Sequence, residues 1–178
     1  EGALRFAMRT GSLEFAMQSK GVEFPAYVPH SNPGYPWALA GGHMSMKTFL
    51  LVILEKETGM DYWVDAITNR GPMFMLDDMT GMCKFAALDP VLIAEALGTA
   101  AGLDVTADDL RGAVDRTWVR GYTVERRVGY EVEDNALPAE AHQPASGSKL
   151  PYFNTPEFFD ELRSKVIAVL DERAETYG

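Results

Sequence analysis

Apolar residues recur at helical spacing in separate stretches of the chain, and convincing alternating strand patterns are scarce. The first stretch has its apolar positions at Met46, Phe49, Leu50, Ile53 and Leu54. Gly59 would end this helix, Asp61 could cap a second helix, and Gly71-Pro72 would close that second helix. The pattern therefore predicts a mainly α protein.

The later helices carry clear start signals. Asp89-Pro90 combines an N-cap residue with a proline at the first helical position, and this helix would run to Gly102. Thr106 and Asp109 have the spacing of a capping box. The helix that follows has its apolar positions at Leu110, Val114, Trp118 and Tyr122. Thr155-Pro156 would begin a final helix. The predicted buried face of that helix comprises Phe159, Leu162, Val166 and Leu170.

Glycine and proline set the organisation outside these helices. Glu1 to Met8 has helical character, and Gly11-Ser12 would stop it. Because this segment opens with neither an initiator methionine nor an N-cap, we expect the chain to be part of a larger polypeptide, and a processed natural N-terminus is the alternative. Residues 13–42 contain too much glycine and proline for a long helix, and residues 131–150 are predicted to be a loop or tether.

These boundaries predict an irregular Gly/Pro-rich N-terminal loop segment followed by a multi-helix domain. Residues 1–138 would form the helical domain, and residues 139–150 a linker or loop. Residues 151–178 would supply a C-terminal helix that packs on the same domain.

Charge and composition narrow the class of partner. Of the 178 residues, 16 are Lys or Arg and 26 are Asp or Glu, which gives a formal net charge of −10. An acidic chain is a poor ligand for nucleic acid or for an anionic membrane, so we expect neither as a partner. The apolar run from Phe49 to Leu54 is far shorter than the roughly 20 residues that span a bilayer. We therefore expect a soluble, cytoplasmic protein.

His43 is the first candidate for chemistry, because it follows Gly41-Gly42 where the loop pattern changes to a helical one. A helix N-terminus disfavours the cationic form of histidine, and small glycines let a ligand approach the backbone. The alternative is a histidine that only packs at a helix start. His30 and His142 lie in proline-containing loops and are predicted to be surface residues.

The segment from Asp78 to Cys83 is the second candidate. It brings a carboxylate, a turn glycine and a thiol together, and thiolates bind soft metal centres. A free cysteine is otherwise commonly a small buried apolar residue, so that alternative stays open. Because Cys83 is the only cysteine, the chain contains neither an internal disulfide nor a four-cysteine site. The methionines nearby, Met73, Met75, Met79 and Met82, are expected to fill the core.

A cluster of arginines forms the third feature, and its members are Arg116, Arg120, Arg126 and Arg127. The simplest interpretation is a solvated helix surface on which these arginines pair with Asp115 and Glu125. A contact with an anionic cofactor or a neighbouring domain is the alternative.

Four segments, in this order along the chain, resemble the C-terminal third of the tungsten-containing aldehyde ferredoxin oxidoreductases. Lys20 to Tyr27 is similar to a K-G-x-E-x-P-A-Y segment, and Gly41-Gly42-His43 is similar to a glycine-and-histidine active-site segment. Asp78 to Phe85 resembles a motif that contains D-x-x-G-L-C, and Arg120 to Pro138 resembles an arginine-rich segment that closes in D-x-L-P. The likeness covers about residues 1–138.

The resemblance implies an enzyme that oxidises aldehydes to carboxylic acids and passes electrons to ferredoxin. Cys83 would be one ligand of a 4Fe-4S cluster. Asp78, with Gly81 and Met82, would contact the pterin of a tungsten (or molybdenum) bis-pterin cofactor, and His43 would transfer a proton. Both cofactors would be shared with the remaining N-terminal portion of the parent enzyme, and a homo-oligomer is possible within such a family.

The sequence departs from the family pattern in ways that matter for function. It lacks the family's C-x-x-C-x-x-x-C segment, so we expect the chain alone to hold no cluster and to be inactive. The strip from Tyr35 to Ala40 lacks the arginine of typical aldehyde-oxidising members, and the tail after Lys149 differs from the usual ending. Two alternatives stay open: the tungsten subunit of a benzoyl-CoA-reductase-like enzyme, and a cofactor-free helical interaction module.

Overall fold

A computed structural model describes residues 2–24, 29–39, 48–86 and 88–177. Within these ranges the chain is mainly helical, which confirms the predicted fold class. The helices are α1 Gly2–Thr10, α2 Thr48–Leu54, α3 Met60–Asp65, α4 Phe74–Thr80, α5 Pro90–Ala101, α6 Ala107–Arg127 and α7 Pro156–Tyr177. A short antiparallel hairpin joins β1 Gln18–Ser19 to β2 Val22–Glu23.

Helix α6 lies at the centre of the core, and α4, α5 and α7 pack around it. Its predicted apolar stripe is buried, as is the predicted face of α7. The largest fully buried side chains include Trp63 and Trp118. Each buried aromatic of this size removes on the order of 150–250 Å² of surface from water, so these two residues contribute strongly to the packing energy.

The predicted start signals of α5 and α6 are confirmed. Asp89 accepts a hydrogen bond from the Val91 N–H at 2.8 Å, and Gly102 ends α5 with φ of 66°. Thr106 and Asp109 form the capping box reciprocally, with the Thr106 N–H donating to Asp109 Oδ2 at 2.9 Å. Side-chain caps of this kind satisfy N–H groups that the helix itself leaves free.

The second helical region differs from its prediction. Helix α2 ends at Leu54 rather than near Gly59, and Lys56 takes the left-handed conformation with φ of 56°. Gly59, not Asp61, occupies the N-cap position of α3, and it makes no side-chain cap because it has no side chain. A π-helical turn, Ala66–Arg70, and a 3-10 turn, Gly71–Met73, then continue α3 into α4 instead of closing it.

In the first of these helices the predicted buried positions Ile53 and Leu54 are wrong, whereas Met46 and the side chains of Phe49 and Leu50 lie outside the described residues. Leu51 and Val52 are buried, whereas Ile53 and Leu54 are exposed. A run of consecutive apolar residues covers every side of a helix, so its periodicity alone does not say which side meets the core.

The segment 29–39 packs against α6 and the first residue of α2 through specific contacts. Trp118 Nε1 donates a hydrogen bond to the Trp37 carbonyl at 3.2 Å. Gly121 of α6 leaves the space that the Leu39 side chain fills, because a Cβ at position 121 would overlap that side chain. Gly34 is equally close to Thr48, the first residue of α2.

No helix in the described part of the chain is both long enough and apolar enough to cross a membrane.

Candidate functional site

The candidate site is built at the C-terminal end of α4. The helix buries Phe74, Met75, Leu76 and Asp77 against the core. Gly81 then takes the left-handed conformation with φ of 73°. The Asp77 carbonyl accepts the N–H of Gly81 and the N–H of Met82, the latter at 2.9 Å. This cap ends the helix and directs the following residues away from its axis.

Asp78 and Cys83 are both accessible as a result. The Asp78 side chain is 55% exposed, and Cys83 is a free, exposed thiol. The alternative of a buried apolar cysteine is therefore excluded. An accessible thiol can coordinate a metal centre that is brought from outside the chain.

Lys84 fixes the turn that follows the thiol. Its Nζ lies 2.6 Å from Asp78 Oδ2 and donates to the Phe74 carbonyl at 3.3 Å. The same ammonium lies 5.5 Å from the centroid of the Phe74 ring. Lys84 therefore holds the carboxylate of Asp78 and the backbone after Cys83 on the same side of α4.

The methionines of this region divide into two groups. Met75 is buried and Met73 is partly buried against the core, as expected of core residues. Met79 and Met82 are exposed, so for them the prediction of core filling is wrong. Met79 lies in the last turn of α4, where its Sδ is 3.8 Å from Thr117 Oγ1, and Met82 follows the helix cap, so both side chains stay largely at the surface.

His43 lies outside the described residues. The structure does describe the flanking anchors of its segment, with Leu39 against Gly121 on one side and Thr48 against Gly34 on the other. Thr48 is buried, as are Tyr35 and Trp37 earlier in the loop.

The hairpin that begins the Lys20 to Tyr27 segment is tied to α6 by a buried ion pair. Lys20 Nζ lies 2.8 Å from Glu125 Oε2, and the two side chains are 2% and 12% exposed. Burial lowers the pKa of the Lys20 ammonium, and its interactions with Glu125 and the charge of Asp134 oppose that shift. The Tyr130 hydroxyl also donates to the Lys20 carbonyl at 3.4 Å.

The sequence did not predict which residues form this ion pair, nor which residues form a second ion pair. Glu125 and Asp115 were expected to pair with arginines of α6, but Glu125 binds Lys20 and Asp115 binds Arg173 at 2.5 Å. Arg126 pairs with Glu131 at 3.0 Å. For the pair with Glu125, the sequence feature that could have indicated a partner was Lys20, the lysine that opens the K-G-x-E segment.

The two loop histidines also differ from one another. His30 is buried and its Nε2 lies 3.1 Å from Ser148 Oγ, so the surface prediction is wrong for this residue. Burial lowers the pKa of His30. His142 is half-buried, and its Nδ1 lies 2.8 Å from the Asn154 carbonyl. Both histidines have partners that fix loops, and neither approaches the end of α4 in the contacts seen.

Within the ranges that the structure describes, no three His, Cys, Asp or Glu side chains come together as a metal site. The donor set at the end of α4 is therefore one thiol and one carboxylate. This set can complete a cofactor site but cannot build one alone.

Comparison with known proteins identifies the family of the chain. The family model described as aldehyde ferredoxin oxidoreductase, domains 2 and 3, matches residues 1–166. The chain belongs to this family. No curated protein matches it at a significant level. Family membership makes the chain part of an aldehyde ferredoxin oxidoreductase-like protein and confirms the family resemblance seen in the sequence.

Family membership relates the residues at the end of α4 to the cofactors that the family generally binds. The matched range includes the accessible Asp78 and Cys83 and the Lys20 hairpin, and it covers the first half of α7. The family generally combines a tungsten or molybdenum pterin with iron–sulfur chemistry. The residues present are chemically suited to contact both kinds of group, because a thiolate binds iron and a carboxylate accepts N–H hydrogen bonds.

Proposed function

We propose that this chain is the C-terminal part of a tungsten bis-pterin, iron–sulfur oxidoreductase that oxidises aldehydes to carboxylic acids, with ferredoxin as the electron acceptor. The supporting observation is the pair of accessible side chains, Asp78 and Cys83, at the capped end of α4 in a chain of this family. Molybdenum would serve in the same position.

Cys83 would bind one iron of a 4Fe-4S cluster. Such clusters take four protein ligands, so three cysteines must come from the remaining N-terminal portion of the parent enzyme. The exposed thiol fits this role because it leaves room for a group that spans two parts of a protein.

Asp78 would accept hydrogen bonds from pterin N–H groups, beside the backbone of Gly81 and Met82. Its Oδ2 already accepts from Lys84, and a carboxylate has further lone pairs on both oxygens. Lys84 would keep the carboxylate oriented while those lone pairs face the cofactor.

The overall conversion joins an aldehyde and water to give a carboxylic acid, two electrons and two protons. When bound, the tungstopterin would supply the two-electron redox chemistry and the cluster one-electron transfer. His43 would take up one of the protons, as a neutral imidazole can at neutral pH.

The experiment uses the complete native protein and measures tungsten, molybdenum, iron and pterin together with aldehyde-dependent reduction of ferredoxin. Asp78→Asn should lower pterin occupancy, because a lost charge-assisted hydrogen bond costs about 1.5–3 kcal/mol. Cys83→Ala should lower iron content while the fold persists. Asp108→Asn is the matched control, because this exposed carboxylate on α6 pairs only with Arg111 among the contacts seen.

His43→Asn separates proton transfer from cofactor binding. General acid–base groups contribute about 10²–10⁴-fold to turnover, so we expect a loss of that order at unchanged metal content. Wild-type turnover across pH, at full metal content, would contradict the assignment of His43.

One sequence feature favours a second candidate function. Tyr35 to Ala40 contains no arginine, which departs from typical aldehyde-oxidising members and leaves a benzoyl-CoA-reductase-like tungsten subunit as the alternative. Reduction of an aromatic thioester, without aldehyde oxidation, would favour that alternative in the same assay.

A further inference from the structure

Two adjoining cavities lie beside the junction between α3 and α4. The first, of about 450 Å³, is bordered by the π-helical turn, α6 and α7. The second, of about 430 Å³, is bordered by α2, α4 and the residues around the start of α5. Arg70, Met73 and Arg111 line both cavities, so the two form one continuous depression. π-Helical turns are frequent at functional sites, and neither Asp78 nor Cys83 lines this depression.

The first cavity, which we call the arginine cleft, is lined by the guanidinium groups of Arg70, Arg111 and Arg173. Two of these three charges are compensated. Arg70 Nη1 lies 3.1 Å from Glu55 Oε2, and Arg173 Nη1 lies 2.5 Å from Asp115 Oδ1. The surplus positive charge of the cleft is therefore that of Arg111.

Arg111 is available for a ligand. Its Nη1 donates to Asp108 Oδ1 at 2.7 Å, but the aspartate side chain is 91% exposed, so water and salt screen this pair. The bond also uses only one of the five N–H groups of the guanidinium. One surplus positive charge suits a monoanion better than a dianion such as phosphate.

The second cavity, which we call the leucine groove, presents apolar side chains to solvent. Leu54 of α2 is 73% exposed and Leu88 is 38% exposed, and both line the groove. Two carboxylates also border it, but Glu55 is paired with Arg70 and Asp77 is buried. Burial of the leucine surface is favourable, so the groove suits a hydrocarbon chain.

We propose that this depression binds an aliphatic monocarboxylate, with the carboxylate on Arg111 in the arginine cleft and the hydrocarbon chain in the leucine groove. A planar guanidinium matches a carboxylate through two parallel hydrogen bonds. The chain passes Met73, whose flexible thioether adapts to irregular apolar contacts, and reaches Leu54 and Leu88. The ligand also contacts Phe74 at the start of α4, the helix whose other end leads to the candidate cofactor residues.

The first test is calorimetric titration of the complete protein with octanoate, hexanoate, acetate, 1-octanol and inorganic phosphate. Octanoate should bind, and each methylene removed should weaken binding by roughly fourfold. Acetate has the head without the chain and octanol the chain without the charge, so both should bind far more weakly. Equal affinity for acetate and octanoate, or phosphate binding as tight as that of octanoate, would overturn the proposal.

Arg111→Gln removes the charge that holds the carboxylate. Octanoate binding should weaken by roughly tenfold to a hundredfold, as on loss of a charge-assisted hydrogen bond. Arg163→Gln is the matched control, because Arg163 makes the same kind of pair with Asp160 at 2.7 Å on α7 and lines neither cavity. Unchanged octanoate affinity in Arg111→Gln would overturn the assignment of the head.

Leu54→Asn tests the chain. The gain in affinity from hexanoate to octanoate should shrink in this variant and persist in Val128→Asn, a control at an exposed valine that caps α6. Octanoate with a terminal diazirine should label residues 51–55 or 88–90 on irradiation. An undiminished gain in Leu54→Asn, or labelling confined to other peptides, would overturn the assignment of the groove.

This site does not depend on the proposed function. Each of these measurements reports binding without aldehyde turnover, so a protein that oxidises no aldehyde can still show the octanoate site. Failure of octanoate to bind would overturn this inference and leave the proposed function intact.

Discussion

At the scale of single residues, Lys20 combines an unusual backbone conformation with a long-range ion pair. Lys20 is a lysine in a left-handed turn with φ of 53°, followed by Gly21 with φ of 84°. Two successive positive φ values are the geometry of a tight hairpin turn, which a lysine adopts at some cost. The ion pair with Glu125 compensates for that cost, since it ties the turn to α6 at 2.8 Å.

Glu125→Gln should destabilise the protein strongly. The variant leaves the buried Lys20 ammonium without its carboxylate, and breaking a buried pair in this way costs about 3–5 kcal/mol. Urea denaturation would measure the change in the free energy of unfolding. The double variant Lys20→Met with Glu125→Met should recover much of the loss, because it removes both buried charges. A loss below about 1 kcal/mol in Glu125→Gln, as for an exposed pair, would show that the ion pair is structurally unimportant.

Alkaline pH should weaken the fold through Tyr122. Burial, with the neighbouring Asp171 carboxylate at 2.9 Å, raises the pKa of Tyr122 from 10.0 to about 12. A raised folded-state pKa gives stability that is fully present below pH 10 and is lost as pH rises towards 12. Tyr122→Phe should therefore lose less stability than the wild type between pH 10 and about pH 12, measured by urea denaturation at each pH. Equal losses in the two proteins would assign the alkaline effect to other groups, such as Tyr62.

At the scale of elements, α6 organises the molecule through both its ends and its middle. The capping box fixes where it begins, the apolar stripe faces the core, and Gly121 receives Leu39 from the loop. A glycine inside a long helix lowers helix propensity, so its presence needs a packing reason. The close approach of the Leu39 side chain supplies that reason.

Gly121→Ala tests whether helix propensity or packing against Leu39 has the larger effect on the free energy of unfolding. Helix propensity favours alanine by about 0.8–1.0 kcal/mol, whereas forcing a methyl group into a packed contact costs about 1–3 kcal/mol. We expect net destabilisation because the new Cβ would overlap the Leu39 side chain. Adding Leu39→Ala should restore part of the stability, since it removes the atoms that the new methyl group would overlap. A Gly121→Ala protein more stable than the wild type would mean that Leu39 moves aside freely.

At the scale of the whole molecule, polar contacts between distant segments hold the helices in register. Arg173 of α7 donates to Asp115 of α6 at 2.5 Å, to the Thr68 carbonyl at 2.7 Å and to Asn69 Oδ1 at 2.7 Å. Tyr177 donates to the second oxygen of Asp115 at 2.9 Å. The network therefore joins α7, α6 and the π-helical turn that leads into α4.

Arg173→Met should lower the free energy of unfolding by about 2–3 kcal/mol. Methionine preserves the apolar part of the side chain but loses hydrogen bonds made by a charged donor, each worth about 1.5–3 kcal/mol and not additive. Lys165→Met on the same helix is the control, because its ion pair with Glu161 is exposed and should contribute less than about 1 kcal/mol. Thermal unfolding of the two variants side by side gives the comparison, and equal midpoints would contradict a special role for Arg173.

Local patterns in the sequence determined the mainly α fold, the caps of α5 and α6, and the buried stripes of α6 and α7. These features depend on residues within a few positions of one another, so spacing alone predicts them. The segment from Asp78 to Cys83 was likewise recognisable, because a carboxylate, a turn glycine and a thiol lie within one helix end.

Only the tertiary structure decided the features that join distant parts of the chain. Cys83 and Met82 are exposed because the end of α4 is not covered by the neighbouring elements that the structure describes. The local sequence pattern does not encode that long-range packing. The pairing of Lys20 with Glu125 spans 105 positions, and that of Asp115 with Arg173 spans 58. Charges choose partners by distance in space rather than in sequence, and burial decides how much each pair contributes.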